Sequence, residues 1–192
     1  RNTVVAGHSQ GGGHAGFIAK NHLVERCILI SAADWVGEQS DLANWLYWPS
    51  ATPAKRIYGF THLQDIAPSI TISRQAWEAY GLNAFGTEVV ADDLVSFVDF
   101  SESHRVTTSR IPGNGPNPVN FHNAPAVDAA LPRDGLGNNL LENIWTYLMT
   151  HEQSGPGERF NTLNPANKFY RAVDFSADGS WACWQNESNE LW

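Results

Sequence analysis

Residues 3–13 constrain the fold of this chain more than any other segment. A β-branched run leads into the sequence GHSQG at residues 7–11, and a helix-compatible stretch follows at residues 15–21. A G-x-S-x-G motif between a strand and a helix is typical of a sharp turn that holds its serine in a strained backbone conformation, clear of the edge of a sheet. The segment therefore predicts a strand, a tight turn that presents Ser9, and a helix.

The residues around Ser9 fit a nucleophile in such a turn. Side chains at Gly7 and Gly11 are expected to collide, which explains why both positions are glycine. The backbone N–H of Gln10 is expected to point from the first helical turn toward the negative charge that develops on a reacting carbonyl oxygen. These features predict Ser9 as a nucleophile and Gln10 as an oxyanion donor. A glycine-rich loop that only happens to contain a serine is the alternative.

Composition limits the class of protein and its partners. The chain has 192 residues, of which 42% are hydrophobic, and its net charge is −8. This size and composition predict one globular core, expected at residues 1–154, with a tail at 155–192 packed on it. The negative charge argues against nucleic acid or an anionic membrane surface as a partner. No apolar run approaches the length needed to span a membrane.

The two cysteines and the first residues leave the compartment open. Cys27 and Cys183 are far apart in the sequence, and one disulfide or two free buried thiols are both compatible with them. No signal peptide is visible, and the first residue is Arg. A secreted or periplasmic location is slightly favoured over the others.

The GHSQG segment resembles the nucleophile elbow of the α/β-hydrolase superfamily, in particular its serine esterases and lipases. The resemblance implies an α/β fold, with a mostly parallel sheet flanked by helices, and a triad in the order serine, acid, histidine. In that family the elbow follows the fifth of eight strands, so this chain is expected to correspond to the C-terminal half of the fold. One edge of the strand at residues 3–6 would then lack a neighbour, and a preceding segment or another chain is expected to cover it.

The rest of the chain predicts further strands and helices on either side of proline-rich loops. Short apolar runs indicate parallel strands, and apolar residues at helical spacing indicate amphipathic helices. Asp178-Gly179 is a turn signal, which predicts a C-terminal β-hairpin. The predicted strands are 26–32, 55–60, 103–108, 169–175 and 180–185; the predicted helices are 73–80, capped by Gly81, and 140–151; residues 111–125 are predicted as a loop.

Asp65 is the best candidate for the acid that the resemblance implies. It follows the predicted strand 55–60, which is where the family usually places this residue. Its role would be to hold the histidine in the correct tautomer and to stabilise the imidazolium. Asp34, which follows the preceding strand, is the rival, and a carboxylate that only caps the turn before Pro68 is the structural alternative.

His122 is the best candidate for the histidine that the resemblance implies. It lies in the long loop after the predicted strand 103–108, and the family takes this residue from a loop after the last strand. His104, at the start of that strand, is the rival. His151 is most simply a C-terminal helix cap. His8 is expected to pack beside the elbow without transferring protons.

No metal or other cofactor is predicted. His14 and His22 do not have the spacing of an HExxH pair, and no nearby carboxylate completes a metal set. His62 and Asp65 are close enough in sequence to meet a metal, but a chance pairing near the triad explains them as well.

Aromatic residues are concentrated in a tryptophan-rich insertion at residues 34–51. Trp35, Trp45 and Trp48 are predicted to bind substrate, as the lining of an acyl pocket or as a lid. The alternative, which the sequence favours equally, is that the insertion packs on itself as a small satellite core.

Together these features predict a serine hydrolase that cleaves a small-molecule carboxylic ester through Ser9, Asp65 and His122 by way of an acyl-enzyme. A peptidase or an acyltransferase on the same scaffold is the first alternative, since the fold does not decide between them. An inactive fragment, or a binding module that lacks the second oxyanion donor, is the other.

Overall fold

The computed structural model describes residues 3–36, 41–92 and 103–150, together with the backbone of 172–175 and 182–185. The chain divides into two compact units, Arg1–Pro156 and Gly157–Trp192. The predictions made for His151, for the turn at Asp178-Gly179 and for the side chain of Cys183 lie outside the described residues.

The first unit is built on a five-stranded sheet in which every pairing is parallel, in the order β1-β2-β5-β7-β6. This arrangement confirms the predicted α/β class with a parallel sheet flanked by helices. A separate antiparallel pair, β3 with β4, follows the second strand. The strands of this unit are β1 Val4–His8, β2 Arg26–Ile30, β3 Trp35–Val36, β4 Asp41–Leu42, β5 Ile57–His62, β6 Val89–Val90 and β7 Arg105–Thr108.

In the described part of this unit, four α-helices connect or cover the strands, with short 3-10 turns between them. The helix after the elbow begins at Gln10, directly after the serine, which agrees with the prediction that Gln10 lies in its first turn. The predicted cap at Gly81 is confirmed, because Gly81 has a φ of 79° and its N–H donates to the Glu78 carbonyl at 2.8 Å. The α-helices are α1 Gln10–Asn21, α2 Ile70–Ala79, α3 Pro118–Asn123 and α4 Glu142–Thr150; the 3-10 turns are Asn44–Tyr47, Ala54–Arg56 and Leu82–Ala84.

The central strands are buried on both faces, as their continuous apolar runs predict. Alternate residues of β2 belong to two different hydrophobic clusters, because successive side chains of a strand point to opposite faces. Cys27 and Leu29 pack with residues of α1 and α2, whereas Ile28 and Ile30 pack with residues of α4. The sheet therefore lies between two layers of helix.

The strand that leads to Ser9 lies at one edge of this sheet. Among the described strands β1 pairs only with β2, from Val4 opposite Arg26 to His8 opposite Ile30. Val4 is 37% exposed. The structure thus agrees with the prediction that one edge of this strand has no neighbour in the described sheet.

Several short elements depart from the sequence predictions, among them β3 and β4 of the tryptophan-rich insertion. The region predicted as a loop at 111–125 contains the helix α3, in which the Asn117 side chain accepts the Asn120 N–H at 2.8 Å and Pro118 occupies the first turn. Asn at the N-cap followed by Pro is a helix-start signal, but the surrounding prolines and glycines obscure it. The two-residue strand β6 pairs with β7 and was also not predicted, because so short a strand carries no periodic pattern.

The second unit contains an antiparallel pair, β8 Ala172–Phe175 and β9 Ala182–Gln185, with Phe175 opposite Ala182. The predicted C-terminal hairpin strands are therefore present.

Candidate active site

Ser9 occupies a strained turn between β1 and α1. Its φ of 55° and ψ of −127° lie in a region that residues with a side chain rarely adopt. The Ser9 N–H donates to the carbonyl oxygen of Ile30 at 2.9 Å, which ties the turn to the end of β2. The predicted strand, sharp turn and helix are thus observed, and they place Ser9 at the carboxyl edge of the parallel sheet.

The glycines around Ser9 are needed for reasons that differ from the prediction at one position. A Cβ at Gly7 would collide with the backbone of Gly11, as expected. A Cβ at Gly11 would meet no atom within 4 Å, so the predicted collision there is wrong. The second crowded position is Gly12, whose Cβ would collide with the Cβ of Ala32 and lie 2.7 Å from the Gly7 carbonyl oxygen. The close approach is between α1 and the end of β2, which a local motif does not reveal.

The start of α1 offers unpaired backbone donors beside Ser9. The N–H groups of Gly12 and Gly13 turn back to the Ser9 carbonyl oxygen, at 2.9 and 3.3 Å. Within the described part of the chain the Gln10 N–H has no acceptor, because it belongs to the first helical turn. This N–H is available to an oxyanion next to Ser9, in keeping with the prediction for Gln10.

Asp65 lies three residues beyond the end of β5, at the same carboxyl edge of the sheet. Its side chain is fully buried. One carboxylate oxygen accepts the Ala67 N–H at 2.9 Å, and the other accepts the Thr61 hydroxyl at 3.3 Å. Asp65 therefore forms the turn that was proposed as its structural alternative, and these bonds also fix the orientation of its carboxylate.

His122 lies on α3 and faces that carboxylate. Its Nδ1 atom is 3.0 Å from Oδ2 and 3.2 Å from Oδ1 of Asp65, a residue 57 positions away in the sequence. Because a carboxylate only accepts hydrogen bonds, Nδ1 carries the proton, and in the neutral ring Nε2 is left unprotonated. The His122 side chain is 14% exposed. A histidine held in this tautomer can accept a proton at Nε2.

His8 connects the Ser9 strand to the His122 helix. The His8 Nε2 atom is 2.9 Å from the carbonyl oxygen of His122, and the two ring centroids are 4.7 Å apart. Burial lowers the pKa of His8, and the proximity of His122 lowers it further, against the opposing effects of the hydrogen bond to His122 and the charge of Asp65. Among the described residues the Ser9 hydroxyl makes no hydrogen bond. Contacts between catalytic groups are often loose before a substrate binds.

The rival candidates lie in different environments. His104 is buried at the amino edge of the sheet, where its Nδ1 donates to the Ile57 carbonyl at 2.8 Å and its ring stacks with those of Tyr58 and Phe85. Asp34 packs against Gly13 of α1, and its carboxylate makes no hydrogen bond to any described residue. Burial raises the pKa of Asp34, while the charge of His14 partly opposes this effect.

The aromatic insertion is engaged mainly in packing. Trp35 and Trp45 are half-buried against the cluster formed by β2, α1 and α2, and Trp45 meets Phe17 edge to face at 5.3 Å. Trp48 is 53% exposed, and its carbonyl oxygen accepts the buried Lys20 ammonium at 2.8 Å. Trp35 and Trp45 thus pack on the core of the first unit and not in a separate satellite core of the insertion, whereas the Trp48 side chain is exposed.

The described residues give less support to a reactive thiol, a metal site or a membrane-spanning helix. Cys27 is a free thiol in the core, and burial raises its pKa to about 12. No cluster of three or more His, Cys, Asp or Glu side chains in the described ranges is arranged to hold a metal ion. No described helix combines the length and the apolar character that a membrane crossing requires.

Comparison with known proteins found no matching family model, no significantly similar curated protein and no significantly similar solved structure.

Proposed function

We propose that this chain is a serine hydrolase of the α/β-hydrolase type that cleaves a carboxylic ester through Ser9, His122 and Asp65. The observation that carries the proposal is the hydrogen bond between the buried Asp65 carboxylate and His122 Nδ1. It forms at the same sheet edge at which β1 ends in the strained Ser9. An acid that orients a histidine beside a strained serine is the arrangement required to activate a hydroxyl.

In this mechanism Ser9 Oγ attacks the carbonyl carbon of the ester while His122 Nε2 accepts the hydroxyl proton. The imidazolium that results is stabilised by the Asp65 carboxylate, which is more effective because it is buried. The Gln10 N–H supplies one hydrogen bond to the tetrahedral oxyanion. His122 then gives its proton to the departing alkoxide, which leaves as the alcohol.

Water completes the cycle. His122 Nε2 takes a proton from a water molecule as the water oxygen attacks the acyl-enzyme. The second tetrahedral intermediate then collapses while His122 returns the proton to Ser9 Oγ, which releases the carboxylic acid and restores the free serine. If an alcohol or amine replaces water at this step, the same residues perform acyl transfer. The nature of the acceptor therefore separates a hydrolase from an acyltransferase.

The proposal is tested by labelling the folded protein with a fluorophosphonate and mapping the modified peptide. We expect the label on Ser9, and we expect Ser9→Ala to abolish it and to lower ester hydrolysis by roughly 10³-fold or more. Ser31→Ala is a matched control, because Ser31 also has a positive φ, of 46°, and directly follows the neighbouring strand β2, but is fully buried. Unchanged hydrolysis in Ser9→Ala, or label on a residue other than Ser9, would contradict the proposal.

A further inference from the structure

His8 lies directly before Ser9 and is hydrogen-bonded to the histidine of the proposed triad. Its ring nitrogen Nε2 is 2.9 Å from the backbone carbonyl oxygen of His122, across 114 positions of sequence. Its ring packs against the His122 ring at a centroid distance of 4.7 Å and a tilt of 42°. This contact joins the end of β1 to α3.

The His122 carbonyl oxygen determines which ring nitrogen of His8 carries the proton. A carbonyl oxygen can only accept a hydrogen bond, so Nε2 must be protonated and must donate. In the neutral ring Nδ1 is then unprotonated. Burial and the neighbouring His122 ring both lower the pKa of His8, which keeps the ring neutral at neutral pH. A neutral ring places no positive charge beside the imidazolium that His122 becomes during the reaction.

The support that α3 receives elsewhere shows why this contact matters. α3 has only six residues, so its position depends on contacts outside the helix. At the side chain of His122 the described hydrogen bond is to Asp65, which lies in the turn after β5. At the main chain of the same residue the hydrogen bond comes from His8, the last residue of the strand that leads to Ser9. The end of β1 and the turn after β5, which lie on either side of β2 in the sheet, thus hold His122 by its backbone and by its ring.

We propose that His8 is a positioning residue. Its Nε2–H holds the main chain of His122, which keeps the His122 ring in place between Asp65 and Ser9. This inference rests on the proposed function. It assigns no proton transfer to His8. Since small displacements of a catalytic group can cost about 10²-fold in rate, one hydrogen bond that sets the position of the base is sufficient to affect turnover.

The test compares His8→Phe with His8→Gln. Phenylalanine keeps a ring of similar size but has no donor, whereas glutamine places an amide N–H near the position of Nε2. We expect His8→Phe to lower the rate of fluorophosphonate labelling at Ser9 by about 10- to 100-fold and His8→Gln to recover most of that loss. His14→Phe, the same change at an exposed position of α1, is expected to label at the wild-type rate. Thermal melting of all three variants verifies that they are folded.

Two results would overturn the inference. One is a folded His8→Phe that labels as fast as the wild type; the other is a folded His8→Gln that is as slow as His8→Phe. Failure of the proposed function has a different signature, because wild-type protein would then not be labelled at Ser9 at all. In that case the role of His8 in the reaction falls with it. The ring ¹⁵N shifts of His8 still decide the contact itself, with the Nε2–H tautomer expected and the Nδ1–H tautomer excluding it.

Discussion

Both carboxylate oxygens of Asp65 lie within 3.2 Å of a single imidazole nitrogen, Nδ1 of His122. The carboxylate is buried and is held from the other side by Thr61 and Ala67, so it cannot easily turn away from the ring. This relationship, more than the serine motif, limits what the sheet edge can do, because a buried acid that orients a histidine is the most specific part of a triad.

We predict that Asp65→Asn lowers kcat for ester hydrolysis by about 10³- to 10⁴-fold while the protein stays folded, because an amide facing Nδ1 favours the wrong imidazole tautomer. The measurement is steady-state hydrolysis of an activated ester, with thermal melting as a check on folding. Asp34→Asn is the matched control and should leave kcat unchanged. A reversal of the two results would make Asp34 the acid of the site.

The crowding at Gly12 predicts a difference between two adjacent alanine substitutions. Gly12→Ala is expected to reduce stability by about 1–3 kcal/mol, since its Cβ would collide with Ala32. Gly11→Ala has open space and should be neutral or stabilising by up to about 1 kcal/mol, because alanine favours the helix. Urea denaturation of both variants measures the difference. Equal losses would mean that α1 does not approach the end of β2 so closely.

The buried Asp34 carboxyl is expected to make the stability of the folded protein depend on pH in the acidic range. Burial raises the pKa of Asp34 above its ordinary value of 3.8, so between those two values the folded state holds the proton more tightly than the unfolded chain. The stability contributed by this group therefore falls as pH rises through that interval, and the cost persists at neutral pH. Asp34→Asn should raise the melting temperature at pH 7, and the gain should shrink toward about pH 3.8. A gain that is independent of pH would contradict this account.

His62 predicts the opposite dependence near pH 6. It is fully buried, its Nε2 donates to the Arg110 carbonyl at 2.9 Å, and its Nδ1 accepts the Gln64 N–H at 3.0 Å. Burial lowers the pKa of His62 below the ordinary 6.5, although the Arg110 hydrogen bond and the charges of Asp65 and Asp92 oppose the shift. The unfolded chain then binds the proton more readily, so stability is lost as pH falls through 6.5.

The measurement for His62 is the denaturation midpoint at a series of pH values from 7 down through 6.5. His62→Gln should be less stable than the wild type at pH 7, because it loses one of the two hydrogen bonds, but its stability should fall less steeply on acidification. An unchanged slope would show that His62 is not responsible. His8, whose pKa is also lowered, contributes in the same direction.

Local sequence patterns predicted the parts of the fold that local physics determines. The strands β1, β2, β5 and β7 each carry a short apolar or β-branched run, and the turn at Ser9 is specified by its neighbours in the motif. Asp65 and His122 could be nominated only through the resemblance, which implies an acid and a histidine after successive strands. Their hydrogen bond depends on which strands are adjacent in the sheet, and that strand order is known only from the structure. Their catalytic roles remain predictions.

Three features lie beyond the sequence predictions, two of them because they depend on contacts distant in sequence. The crowding at Gly12 arises where α1 crosses Ala32, a residue of the next strand connection. The start of α3 has a readable signal in Asn117 and Pro118, but nearby prolines and glycines favour a loop by composition. The contact between His8 and His122 spans the unit and leaves no mark in either local sequence.

The position of β1 has a consequence for how rigidly the nucleophile is held. Ser9 is continuous with a strand that is hydrogen-bonded within the described sheet on one side only, through its pairing with β2. Edge strands open more readily than central ones, so the backbone on which Ser9 depends is protected from solvent exchange by one ladder rather than two. Amide hydrogen exchange along β1 therefore reports the local opening free energy of the candidate nucleophile, and a ligand that binds along this edge would slow exchange and stiffen the reactive turn from outside the site.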